Sequence, residues 1–157
     1  YYKDKVINDK DDFYTGFSDV TVDSSSIIDN LYAEKTTYDE LENIIDALGR
    51  QPHENEFMCI RHGKQSFLGI YAEKSIFKLL SDKELDEGMI GIQSKDREQL
   101  YALNALNDDN IPLVTITGLA GSGKTFITLV SAMSALNRGQ YERINHSRIC
   151  RSYTSRL

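Results

Sequence analysis

The chain of 157 residues has room for one average domain, or for part of a domain and a small module. Its net charge of -6 argues against a broad nucleic-acid-binding surface, although Lys, Arg and aromatic residues are scattered throughout. No apolar run is long enough to span a bilayer, and two distant cysteines, Cys59 and Cys150, indicate a reducing, cytoplasmic setting.

The first part of the chain predicts a linker followed by two helices. Residues 1–23 are acidic, tyrosine-rich and weakly periodic, which predicts a polar linker leading into one short turn or strand. Three serines at 24–26 predict the cap of a short helix over 27–32. A second helix is predicted by the capping box of Thr37 and Glu40, with Leu41, Ile44, Ile45 and Leu48 on one face and Gly49 at its end.

From Glu56 the alternation of apolar and polar residues has a period of two, which predicts a small antiparallel meander. Three strands are expected, at residues 56–61, 65–72 and 75–80. A charged loop over 81–88 and a short extended segment at 89–92 follow. Residues 24–93 are therefore expected to form one module of a small helical part and a β-meander.

A further helix is predicted to begin at Ser94 or Asp96, because Asp96 and Gln99 have the spacing of a capping box. Its buried side is marked by Leu100, Leu103 and Leu106. A turn over 107–110 then leads to residues 113–117, an uncharged run rich in β-branched side chains. This run predicts a buried strand of a parallel sheet.

Residues 118–125, called here the glycine loop, read Gly-Leu-Ala-Gly-Ser-Gly-Lys-Thr. They fit the phosphate-binding pattern G-x-x-x-x-G-K-[ST] at every fixed position. In such a loop the glycines allow the backbone to come close to a ligand oxygen, and the backbone amides converge on phosphate oxygens. An apolar helix is predicted after the loop, over 126–136, and we expect it to be buried on most sides.

The loop pattern predicts a site for the phosphates of a nucleotide with Mg²⁺. Lys124 is expected to reach the β- and γ-phosphates, and the Thr125 hydroxyl is expected to bind the metal ion. Contacts to the nucleotide are expected from Gly118, Leu119, Ala120, Gly121, Ser122, Gly123, Lys124 and Thr125. A glutamine amide both donates and accepts, so Gln99 is either a reader of adenine N6 and N7 or a polar residue at a helix start.

The segment from Asp96-Arg97-Glu98-Gln99 through Leu113-Val114-Thr115 to Gly118 resembles the opening of PhoH-like ATPases. The resemblance implies an α/β fold: the N-terminal part of a P-loop NTPase with a parallel sheet, preceded by a small antiparallel β-module. In this interpretation Gln99 reads adenine, and residues 94–157 are a truncated part of the ATPase domain. The family implies ATP hydrolysis linked to RNA unwinding or decay, and leaves open a homo-oligomer of the full-length protein.

The upstream residues Tyr14-Thr15-Gly16 and Asn55-Glu56-Phe57 resemble the linker and β-module of fusions in which a PIN nuclease precedes a PhoH-like ATPase. Residues 1–9 would then follow a PIN domain. The resemblance ends near Ile144, where we expect a truncation or a break in the reading frame. The carboxylate and arginine that complete phosphoryl transfer come from later strands in P-loop proteins, so no catalytic residue is assigned.

Two alternatives remain open. The meander could be a non-enzymatic nucleic-acid-binding module that acts through Phe57, Arg61, Phe67, Tyr71 and Lys74, although the same residues suit a small core. The chain could also be a non-functional truncated remnant, because half a parallel sheet exposes an open edge. A metal site at His53, Cys59 and His62 is disfavoured, since a fourth ligand is not evident.

Overall fold

The computed structural model describes residues 14–85 and 93–147, which form an α/β arrangement of helices and one mixed sheet. The chain divides into two compact units, Tyr1–Leu79 and Leu80–Leu157. No helix among the described residues is both long and apolar enough to cross a membrane.

The N-terminal unit is built on a four-stranded sheet in the order β1-β2-β3-β4. Its strands are β1 (Phe17–Thr21), β2 (Glu56–His62), β3 (Gln65–Ala72) and β4 (Ser75–Lys78). Strands β2, β3 and β4 pair antiparallel, which confirms the predicted meander.

Strand β1 pairs parallel with β2, so the four-stranded sheet is mixed, and the predicted antiparallel meander supplies three of its strands. This strand lies near the end of residues 1–23, where a polar linker leading into one short turn or strand was predicted. Its five residues give a weak local signal, and its pairing partner lies about forty positions further along the chain, from Phe17 to Phe57. The alternation of apolar and polar residues within a short segment does not indicate which distant strand the segment will pair with.

Two helices, α1 (Ser25–Tyr32) and α2 (Tyr38–Leu48), form the crossover that two parallel neighbours require. Ser24 caps α1 by accepting a hydrogen bond from the Ser26 N–H at 3.2 Å. Thr37 and Glu40 form the predicted capping box at the start of α2, and Gly49 ends this helix in a left-handed conformation. Both predicted helices are therefore confirmed.

The core of the N-terminal unit lies between these helices and the sheet. Its most deeply buried apolar side chains are Val20, Ile28, Ile44, Met58, Ile60 and Phe67. On β3, Gly69 permits this packing, because a Cβ atom there would lie 2.7 Å from Phe67 Cε1 and 2.8 Å from Ile76 Cγ2. Burial of these side chains is the main force that holds the two layers together.

The described part of the C-terminal unit is helical. It contains α3 (Asp82–Leu85), α4 (Arg97–Asn107) and α5 (Lys124–Asn137), and buried Leu85, Leu103 and Ile127 form its apolar cluster. Helix α3 lies in the segment predicted to be a charged loop. The Glu84 side chain accepts a hydrogen bond from the Ser81 N–H at 2.7 Å and so fixes this single turn. The predicted extended segment at 89–92 lies outside the described residues.

Helix α5 is present where it was predicted, but fewer of its side chains are buried than expected. Its buried face carries Ile127, Ser131, Ser134 and Ala135. The large side chains Phe126, Leu129 and Met133 are exposed, so the expectation of burial on most sides was wrong. Helices α4 and α5 are in contact, and Ile127 of α5 packs in one apolar cluster with Leu103 of α4.

The predicted buried strand at 113–117 is not formed among the described residues, and Leu113 is 81% exposed. A parallel strand needs a neighbour to satisfy its backbone N–H and C=O groups. No strand of the described C-terminal unit lies beside it. Residues 141–144 are likewise exposed and unpaired with any described strand.

Candidate functional site

The glycine loop turns the chain from residues 113–117 into α5. Gly121 and Gly123 have φ angles of +83° and +84°, a left-handed conformation that glycine adopts at little cost. Gly123 is the N-cap of α5, so the helix begins directly at Lys124. The predicted order of loop and helix is thus present.

The start of α5 offers backbone donors. Within the described chain no side chain caps this helix, since its N-cap is a glycine. The Ile127 N–H donates to the Gly123 carbonyl at 2.9 Å, which leaves the preceding N–H groups without a carbonyl of their own helix. Together with the positive end of the helix dipole, they favour an anion at this place.

The ammonium group of Lys124 lies folded into the loop. Its Nζ donates to the carbonyl oxygens of Gly118 at 2.8 Å and Leu119 at 2.6 Å, and to Ser122 Oγ at 3.2 Å. These contacts tie both ends of the loop to the first residue of α5. The positive charge is therefore held against the backbone of the glycine loop.

Thr125 is exposed in the first turn of α5. Its hydroxyl is a hard oxygen donor, and Mg²⁺ in proteins is commonly held by few side chains together with substrate phosphates and water. The residue fits a metal ion that arrives with a nucleotide. In the described ranges, no group of three or more His, Cys, Asp or Glu side chains is placed to hold a metal ion.

Gln99 lies in the first turn of α4, and its side chain contacts the glycine loop. Its Oε1 accepts from the Lys95 N–H at 2.9 Å, and its Nε2 donates to the Ser122 carbonyl at 3.3 Å. Asp96 caps the helix by accepting from the Gln99 N–H at 2.8 Å. The predicted capping box is therefore incomplete, because the glutamine side chain reaches Lys95 instead of Asp96.

Two cavities flank the contact between Gln99 and Ser122. One has a volume of about 460 Å³ and is bounded by Lys95, Gln99, Gly123 and Phe126 among others. The second, of about 290 Å³, lies against Thr117, Gly118 and Lys124. Gln99 and Ser122 line both cavities, so each cavity lies between the glycine loop and the start of α4.

A buried ionic cluster in the N-terminal unit was not predicted from the sequence. Glu56 is fully buried and accepts hydrogen bonds from Arg50 at 2.6 and 2.9 Å, from Ser18 Oγ at 2.5 Å and from the His53 N–H at 2.8 Å. Burial raises the pKa of Glu56, but the hydrogen bonds from Arg50, Ser18 and His53 outweigh it and hold the pKa below its usual value. All of these partners belong to the N-terminal unit, so the cluster joins different segments of this unit to each other.

Two of the aromatic residues weighed as a nucleic-acid-binding surface on the meander are buried. Phe67 is fully buried and Tyr71 is 8% exposed, so their rings belong to the core and do not offer faces for stacking. The three residues weighed as metal ligands also have internal roles: Cys59 is buried, His62 Nδ1 lies 2.9 Å from the Val22 carbonyl, and His53 packs against Tyr14.

Comparison with known proteins adds to this geometry. Residues 91–151 match the family model described as PhoH-like protein. The chain is also similar to Protein PhoH2 of Bacillus subtilis (strain 168), with 30% identity over 139 residues that cover 85% of this chain and 29% of that protein. The chain thus spans less than a third of this relative's length, and no solved structure gives a significant match. The glycine loop, Gln99 and α5 all lie within the residues that match the PhoH-like family model, so the candidate site falls in the part of the chain that is similar to this family.

Proposed function

We propose that the glycine loop binds Mg-ATP as part of a PhoH-like ATPase. The observation that carries the proposal is the position of Lys124, whose Nζ lies inside the loop within 2.8 Å of the Gly118 carbonyl, at the uncapped start of α5. A cation and free backbone donors at one helix end are the requirements for holding a polyphosphate.

Each residue has a role in the proposal. Backbone amides of residues 119–125 would hold phosphate oxygens, and Lys124 would neutralise the β- and γ-phosphates. Thr125 would complete the coordination of Mg²⁺, which when bound screens phosphate charge. Gln99 would read adenine, because Nε2 has a second N–H and Oε1 a second lone pair beyond those used for Ser122 and Lys95.

The activity of the whole protein is a wider proposal. We infer ATP hydrolysis coupled to RNA unwinding or decay, in an arrangement in which a PIN nuclease domain precedes the ATPase. The boundaries at residues 23 and 93, the parallel sheet of a P-loop NTPase, a cytoplasmic setting and a homo-oligomer of the full-length protein also stay predictions. The groups that activate water are not assigned to any residue of this chain.

The proposal is tested by calorimetric titration of Mg-ATP into the intact protein and its Lys124→Ala variant. We expect the variant to lose measurable binding, since charge-assisted contacts to phosphate are removed. Lys83→Ala is the matched control, because Lys83 is an exposed lysine on α3 of the same unit, and it should bind as the parent does. Retained affinity in Lys124→Ala, with an unchanged melting temperature, would refute the assignment.

A further inference from the structure

We propose that Phe126 is the surface on which the nucleobase stacks, which makes it a determinant of nucleoside binding at the site described above. The inference rests on the proposed function and names a residue that the phosphate-binding pattern does not include. That pattern ends at Thr125, one position before Phe126.

The first observation is that the Phe126 side chain is exposed to solvent. Phe126 is 61% exposed although it is a large apolar residue in the first turn of α5. Leaving such a ring in water forgoes the free energy of burial, and an exposed aromatic side chain next to a concave surface is typical of a ligand contact.

The second observation is the cavity that the ring bounds. Phe126 and Gln99 line the same space of about 460 Å³, next to Gly121, Ser122 and Gly123 of the glycine loop. A nucleobase has apolar faces and a polar edge, and this cavity offers an aromatic ring for the face and a side-chain amide for the edge. Its size is within the range of small-ligand sites.

The third observation separates Phe126 from its neighbours on the helix. Leu129 and Met133 are also exposed, at 38% and 47%, and continue an apolar face along α5. Of these three residues, Phe126 is the one that bounds the cavity beside the loop. A role in covering the apolar face would apply to all three alike, whereas a role in binding a base applies to Phe126 alone.

The test compares two probes, Mg-ATP and inorganic triphosphate with Mg²⁺, on the intact protein and its Phe126→Ala variant. We expect Phe126→Ala to weaken ATP binding by about 5- to 100-fold, the range for loss of one aromatic stacking partner. Triphosphate has no base, so its affinity should change less than about twofold. Phe126→Tyr keeps the ring and should bind ATP as the parent does.

Met133→Ala is the matched control, an exposed apolar residue of the same helix, and both affinities should persist in it. An ATP affinity that is unchanged in Phe126→Ala would overturn the stacking role while leaving the proposed function intact. Equal losses for ATP and triphosphate would also overturn it, because the ring would then act on the loop. If the parent protein binds neither probe, the proposed function itself fails, and the stacking role fails with it.

Discussion

The side-chain amide of Gln99 donates a hydrogen bond to the backbone carbonyl of Ser122 at 3.3 Å and so joins the first turn of α4 to the glycine loop. The same amide accepts from the Lys95 N–H, which fixes the orientation of its plane. Gln99 therefore has two tasks in our interpretation. It positions the loop, and it presents its remaining donor and acceptor to a base.

Replacing Gln99 with Ala should affect ATP more than GTP. A bidentate contact to adenine contributes about 1–3 kcal/mol of discrimination between bases, so we expect the preference for ATP over GTP to fall by roughly that amount. Affinity for inorganic triphosphate should fall modestly, because the contact to Ser122 is lost as well. Competition titrations with the three ligands measure these effects, and a variant that keeps its full ATP preference would show that Gln99 only positions the loop.

Stability of the N-terminal unit should depend on the ion pair of Arg50 and Glu56. Arg50→Met leaves a fully buried carboxylate with fewer donors, and we expect the free energy of unfolding to fall by about 1–3 kcal/mol. Arg61→Met is the matched control, an arginine on the same sheet whose pair with Asp19 is exposed and 3.4 Å long. It should cost less than about 1 kcal/mol in urea unfolding.

The same cluster predicts a pH dependence. Since the pKa of Glu56 is lowered in the folded state, its contribution to stability is complete above the ordinary pKa of about 4.5 and is lost as the pH falls through the folded value. The parent and the Glu56→Gln variant should thus differ most near neutral pH and converge in acid. Unfolding titrations from about pH 7 to about pH 3 test this, and a constant difference would contradict it.

The burial of Ser134 on α5 should make this position sensitive to side-chain size and insensitive to the loss of its hydroxyl. Ser134 is fully buried, and its Oγ has no hydrogen-bond partner among the described residues. Ser134→Ala should leave the melting temperature unchanged or raise it, because a buried hydroxyl without a partner is unfavourable. Ser134→Leu should lower the free energy of unfolding by about 1–3 kcal/mol or more. Destabilisation by Ser134→Ala would mean that the hydroxyl is bonded in solution.

The features predicted well from the sequence are those with local signals. The capping box at Thr37, the cap at Asp96 and the hairpin around Gly63 depend on residues a few positions apart, and the structure has all three. The pairing of β1 with β2 and the cluster at Glu56 depend on distant residues, and the sequence alone did not predict them.

The glycine loop has one feature that depends on neighbouring residues and another that depends on a distant residue. Its turn into α5 follows from fixed glycines and a helix start, so its backbone could be predicted. The contact of Gln99 with Ser122 joins residues 23 positions apart, and spacing alone could not distinguish it from a capping interaction. The strand at 113–117 failed as a prediction because a parallel strand forms only beside another strand, which the described residues do not supply.

Three oxygens of the glycine loop already accept hydrogen bonds from the Lys124 ammonium group, so a ligand at this group would replace existing partners. In the proposed site, a phosphate group would have to replace the carbonyls of Gly118 and Leu119 and the hydroxyl of Ser122 as acceptors from the ammonium group. The bonds that the ammonium group already makes have a charged donor and neutral acceptors, whereas a bond to phosphate would join two charged groups, so a strongly charged ligand would gain most from the replacement. The proposed site would therefore favour a polyphosphate over a single weak anion, before any contact with a base is made.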